Sequence, residues 1–161
     1  MTTDSSVDEA WGKLADTGEE ERETQMFQRY TELASLSEEA RRSRLLAMAK
    51  AEYALPDAKL RTFTLSRMRV WLKIDPENAK KMAVSYSAVM NQMPGPAAMR
   101  RVALVQTLAR EFSLEDREKL VALAPGVFAT RPSSVAGVFG VTPSSTTVSS
   151  KKPWWAFWRR S

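Results

Sequence analysis

The segment KKPWWAFWRRS, residues 151–161, sets Trp154, Trp155, Phe157 and Trp158 among Lys151, Lys152, Arg159 and Arg160. This mixture of side chains is suited to interfacial chemistry. An indole is apolar over most of its area yet carries an N–H that can stay hydrated, so it prefers the headgroup region, and Lys or Arg is drawn to anionic lipid. Each cation near such a surface contributes about 1 kcal/mol. Each shallowly inserted ring recovers part of the roughly 1.5–3 kcal/mol that full burial would give. After the cost of ordering the segment, a total of about 5–8 kcal/mol corresponds to reversible binding in the micromolar to sub-millimolar range.

The eleven residues are too few to span a bilayer, so a peripheral anchor is the form of attachment expected. In composition PWWAFWRR is similar to Trp- and Arg-rich membrane-active peptides, a likeness of physical type that implies interfacial partitioning only. Three other readings compete. Trp and Arg dominate protein–protein hot spots, aromatic rings between cations can stack on the bases of nucleic acid, and the three tryptophans could fold back onto the rest of the chain. The anionic membrane surface is favoured, a protein partner is the principal rival, and nucleic-acid binding is not expected.

Catalytic chemistry has little to draw on. Cys and His are both absent, which removes thiolate nucleophiles, imidazole bases and the usual soft metal ligands. Glu38 with Glu39 and Glu115 with Asp116 are paired acids, but each pair falls in a first helical turn, where carboxylates favour the positive end of the helix dipole. MPGP at residues 93–96 breaks a helix and is not a phosphate cradle. No catalytic residue, cofactor or metal site is therefore expected, and the chain is read as non-enzymatic.

The basic residues of the central region are read mostly as solvated helix faces, of which Arg67, Arg69, Arg100 and Arg101 could form one anion-attracting surface; Arg67 and Arg69, in the most apolar helix, are the ones expected to have a specific partner. Residues 26–131 carry 18 Lys or Arg against 11 Asp or Glu, too slight an excess, without a recognisable motif, to imply nucleic acid. A second binding element is a duplication: GVFATRPSS at residues 126–134 recurs as GVFGVTPSS at 137–145, with six of nine positions identical. Each copy offers one aromatic, Phe128 or Phe139, as a linear-motif anchor beside a turn-forming segment. Two copies on a flexible strand could bind two equivalent pockets with gained avidity; the favoured alternative is duplication drift in a low-complexity linker, with the first copy partly absorbed into the domain.

These features need elements to carry them. Residues 1–23 are polar, acidic and aperiodic and read as a disordered arm. A first short helix begins near Met26, where Phe27, Tyr30, Leu33 and Ala34 fall at helical spacing. Ser37 caps a second helix over residues 38–53. A third, from about Pro56 to Ile74, is apolar around much of its circumference and is expected at the centre. Asp75-Pro76-Glu77 opens a fourth with an N-cap, a proline at the first position and an acid in the first turn. There Met82, Tyr86, Val89, Met90 and Met93 form one stripe, with the methionines, and Met99 beyond them, read as core rather than as an adaptable groove.

Met99 to Phe112 marks a fifth helix. Ser113-Leu114-Glu115-Asp116 resembles a capping box and opens a sixth. No fixed repeat period is read in this region and no strand is expected. The result is an all-α domain over residues 24–128, a compact bundle or array of five to six helices. A flexible Ser/Thr/Pro/Gly linker over 129–150 joins it to the 151–161 tail.

No secretory signal and no apolar run of bilayer length is present, so a cytoplasmic protein, peripheral at the cytoplasmic face of a membrane, is expected. Together these readings point to a helical adaptor or assembly protein tethered by its Trp-rich tail. The alternative is a scaffold or cargo-type protein whose GVF copies and tail are peptides read by a protein partner.

Overall fold

A computed structural model describes residues 9–128. The linker, Phe139 and the tail lie outside the described residues, so the expectations resting on them are untouched by the fold. The described chain is all-α and compact. Residues 9–13 are helical and run into a 3-10 turn, Leu14–Asp16. Seven α-helices follow among the described residues: α1 Glu19–Ala34, α2 Glu38–Tyr53, α3 Asp57–Lys73, α4 Pro76–Met90, α5 Gly95–Ala109, α6 Leu114–Leu123 and the short α7 Pro125–Phe128.

Local chemistry sets the helix starts. Ser37 Oγ accepts from the Ala40 amide at 3.4 Å. Asp75 Oδ1 accepts from the amides of Glu77 at 3.1 Å and Asn78 at 3.2 Å, and Pro76 occupies a position where no amide donor is required. Ser113 Oγ accepts from the Asp116 amide at 3.1 Å and donates to the Asp116 carboxylate at 2.9 Å, so the box closes through the side chains.

The six longer helices begin at residues 19, 38, 57, 76, 95 and 114, nineteen residues apart each time. This corrects the expectation of no fixed period. What recurs is a class of residue: the position just before the N-cap holds Leu36, Leu55, Ile74, Met93 and Phe112 in turn, each packed into or against an apolar cluster. Apolar anchoring of the residue before the cap fixes the angle at which the chain enters each helix. The array is nevertheless no solenoid, because helices pack chiefly on the next but one. The most extensive contacts are α2 on α4 and α1 on α3, and successive helices touch far less.

One cross-helix link follows the same period. Arg22 Nε donates to Ser66 Oγ at 2.9 Å and Arg41 Nε to Ser85 Oγ at 2.8 Å, both spanning 44 residues. Each arginine also donates to the carbonyl five residues back, Thr17 and Leu36 respectively, at 3.0 Å. At the equivalent places in later helices the chain has Leu60 and Ala79, which lie in the main core, while Leu104 and Leu123 pack against it where Ser66 and Ser85 stood. The polar positions of the first two links are thus apolar further along the chain.

The N-terminal expectation changes most. Residues 9–23, read as part of an acidic arm, are helical or turn over much of their length, and Trp11, Leu14 and Arg22 are buried. Trp11 meets Tyr30 and Phe63 edge-on at centroid distances of 5.5 and 5.3 Å. The acids of α1 are solvated or paired: Glu19 and Glu23 receive Arg69, and Glu23 also receives Lys73 at 2.7 Å. α3 is central, supplying Leu60, Phe63, Val70 and Trp71 to the main core and Met68 to a second cluster with Val105, Leu108, Leu120 and Val127.

Candidate functional site

The densest concentration of functional groups is a buried polar centre built from four helices. α2 brings Glu52, α3 brings Arg67 and Trp71, α4 brings Tyr86 and α5 brings Arg101. Arg67 donates to the Glu52 carboxylate and, at 2.6 Å, to the Tyr86 hydroxyl, which donates in turn to Glu52 Oε2 at 3.1 Å. The Glu52 and Arg67 side chains are 1% and 3% exposed. The triangle joins α2, α3 and α4 with each charged group facing a partner.

Electrostatics follow from burial. Desolvation pushes the Glu52 carboxyl above its ordinary value, against the pull of Arg67, the Tyr86 hydroxyl and Arg101. Desolvation acts to lower Arg67, but the Glu52 carboxylate is the strongest influence against it, and the guanidinium stays cationic. The hydroxyls of Tyr30, Tyr53 and Tyr86 are all raised by burial and stay protonated. A carboxyl shifted in this way would be a general-acid candidate in a cleft. Glu52 is fully buried within its triangle, so its chemistry here is to tie helices together.

Arg101 differs from Arg67. It is 6% exposed, its guanidinium carbon lies 4.7 Å from the Tyr86 ring centroid, and burial lowers its pKa. Arg67 lies over the same ring at 4.9 Å. Among the described residues no carboxylate pairs with Arg101, and its Nε has no acceptor.

The four arginines that could, on sequence, form one anion-attracting surface therefore separate. Arg67 and Arg101 face inward. Arg69 is neutralised by Glu19 and Glu23, and Arg100 bonds Asp57 and the carbonyls of Tyr53 at 3.2 Å and Leu55 at 3.3 Å, closing the end of α2. The exposed cations of the central region include Arg44, Lys80 and Lys81. Of the methionines, Met82 and Met90 are core, whereas Met99 is 72% exposed.

Nothing local in the sequence marks Glu52 or Tyr86 as functional. The nineteen-residue register is the signal that finds the buried centre: Arg67 and Tyr86 stand one period apart, in the phase that elsewhere holds the buried Met48 and Val105. The first GVF copy is partly structural. Val127 is 5% exposed in the second cluster and its carbonyl accepts from Gln106 Nε2 at 2.9 Å. Phe128 ends α7.

Among the described residues no helix is long and apolar enough to cross a membrane, and no group of acidic side chains is arranged to hold a metal ion. No protein-family model, curated protein or solved structure matches the chain.

Proposed function

We propose that the protein is a non-enzymatic helical adaptor or assembly protein whose domain is held at an anionic membrane surface, at its cytoplasmic face, by residues 151–161. The observation that carries this reading is the distribution of aromatic residues. Trp11 and Trp71 are core residues of the helical domain, while Trp154, Trp155 and Trp158 stand with four cations beyond an acid-free stretch, residues 131–150. The first pair accounts for its apolar area by packing. The second group has the composition of an interfacial anchor.

The burial of Glu52 and the ties of Arg69 and Arg100 are compatible with this reading, since these charged groups are engaged in joining helices. Titrating the full chain into vesicles with and without anionic lipid tests the proposal. Binding is expected only with anionic lipid and is expected to weaken as salt screens the cations. Equal binding to both vesicle types at low salt would remove the electrostatic part of the reading.

The alternative, a scaffold whose GVF copies are read by a protein partner, is weakened for the first copy by the burial of Val127. It then rests on Phe139 and the tail.

A further inference from the structure

A cavity of about 20 Å³, partly open to solvent, is bounded by α3, α5, α6 and α7. Arg67, Trp71 and Arg101 line it together with the apolar side chains of Val105, Leu120 and Val127. A space of this size holds one compact guest. Three observations bear on what that guest is. Arg101 is buried yet has no hydrogen-bond or ion-pair partner among the described residues; it lies over the face of Tyr86 and feels Glu52 only at longer range. The Trp71 ring closes one side of the cavity, with its indole N–H directed to the Tyr30 hydroxyl. Glu52, the carboxylate of this centre, is bonded to Arg67 and to Tyr86, so two guanidinium charges stand against one carboxylate.

A guanidinium does not shed its proton in a protein, and an unpaired buried ion is strongly disfavoured. An aromatic face compensates only in part. A water molecule in the cavity would satisfy donors but leave the charge. An anion does both, and the apolar remainder of the wall excludes anything large or heavily hydrated. We infer that the cavity is a binding site for one compact monovalent anion, of the size of chloride or formate, held by Arg101 with Arg67 and Trp71 beside it. Occupancy completes the polar centre and couples the stability of the domain to the anion.

Thermal unfolding of the full chain tests this, with potassium gluconate replaced stepwise by potassium chloride at constant pH and ionic strength. The midpoint is expected to rise by several degrees and to saturate, as binding to the folded state alone requires. Arg101→Met, which removes the uncompensated charge, is expected to fold and to lose the chloride dependence, and Arg101→Lys to retain a weakened one. Equal midpoints in both salts would mean that the cavity takes water only, and an unchanged chloride dependence in Arg101→Met would reduce the effect to general salt action; either result overturns the assignment. Chlorine NMR on the unaltered protein provides a readout independent of any variant. Saturable excess line width, displaced by formate, is expected, and its absence overturns the assignment.

Discussion

Arg41 on α2 reaches Ser85 on α4, its Nε donating to the serine hydroxyl at 2.8 Å, and Arg22 makes the same link to Ser66 one nineteen-residue step earlier. Both arginines are buried. A hydrogen bond to a charged group is worth about 1.5–3 kcal/mol. Ser85→Ala and Ser66→Ala are each expected to destabilise the domain by about that amount in urea unfolding. In a double-mutant cycle, Arg41→Met with Ser85→Ala should show coupling, while Arg41→Met with Ser66→Ala should add independently. Arg117 is the contrasting case. It stands in the same phase and donates to the Phe112 carbonyl at 3.5 Å, yet its Nε has no partner among the described residues, so Arg117→Met should cost clearly less.

At the buried centre, Arg67→Met leaves the Glu52 carboxylate without the cation bonded to it. A loss of about 3–5 kcal/mol is expected. Replacing the whole triangle, Glu52→Leu with Arg67→Met and Tyr86→Phe, leaves no orphaned group of the three and should recover most of that loss, because a buried ion pair gains little over well-packed apolar residues. Chemical denaturation of the single and triple variants checks both outcomes.

The same substitution carries a pH signature. Burial already raises the Glu52 carboxyl above its ordinary value of 4.5, with Arg67 the strongest influence opposing it. Without Arg67 the folded-state pKa climbs further. A raised acid takes up a proton on folding, so its contribution is fullest below the ordinary value and declines as pH rises toward the folded one. The deficit of Arg67→Met relative to the unaltered protein should therefore be smallest near pH 4.5 and widen toward neutrality. A deficit that is constant with pH, or that narrows as pH rises, contradicts the assignment.

The two GVF copies should respond differently to the same change. Val127→Ala removes two buried methyl-sized groups from the cluster around Leu108 and Leu120 and is expected to cost about 1.5–2.5 kcal/mol. Val138→Ala, at the matching position of the second copy, is expected to leave the unfolding midpoint unchanged. Differential scanning calorimetry of the two variants distinguishes an element of the domain from a repeat of its sequence.

How legible was this protein from its sequence? Where local chemistry decides, it was plain: Ser37, Asp75 and Ser113 mark the helix starts because caps act within three residues. The centrality of α3 was legible from its many-sided apolar surface. The role of residues 9–23 was not, because Trp11 and Leu14 are too sparse among acids to show a period, and their burial depends on Tyr30 and Phe63 far along the chain. The inward turn of Arg101 is hidden for a related reason, while the place of Arg67 in the most apolar helix points to a partner without naming it. Charge is ordinarily solvated, and the partner that draws Arg67 inward, Glu52, is fifteen residues away on another helix. The nineteen-residue register links these cases, but it is written in residue class and not in identity, so comparing the sequence with itself does not expose it.

The central proposal is attachment through residues 151–161, and co-sedimentation with anionic vesicles at low salt, comparing the full chain with a chain lacking those residues, tests it most directly. The full chain is predicted to pellet with an apparent Kd between about 1 μM and a few hundred μM, and the shortened chain to remain in the supernatant with its helical domain folded. A full chain that stays in solution, or a shortened chain that pellets equally well, would contradict the proposal.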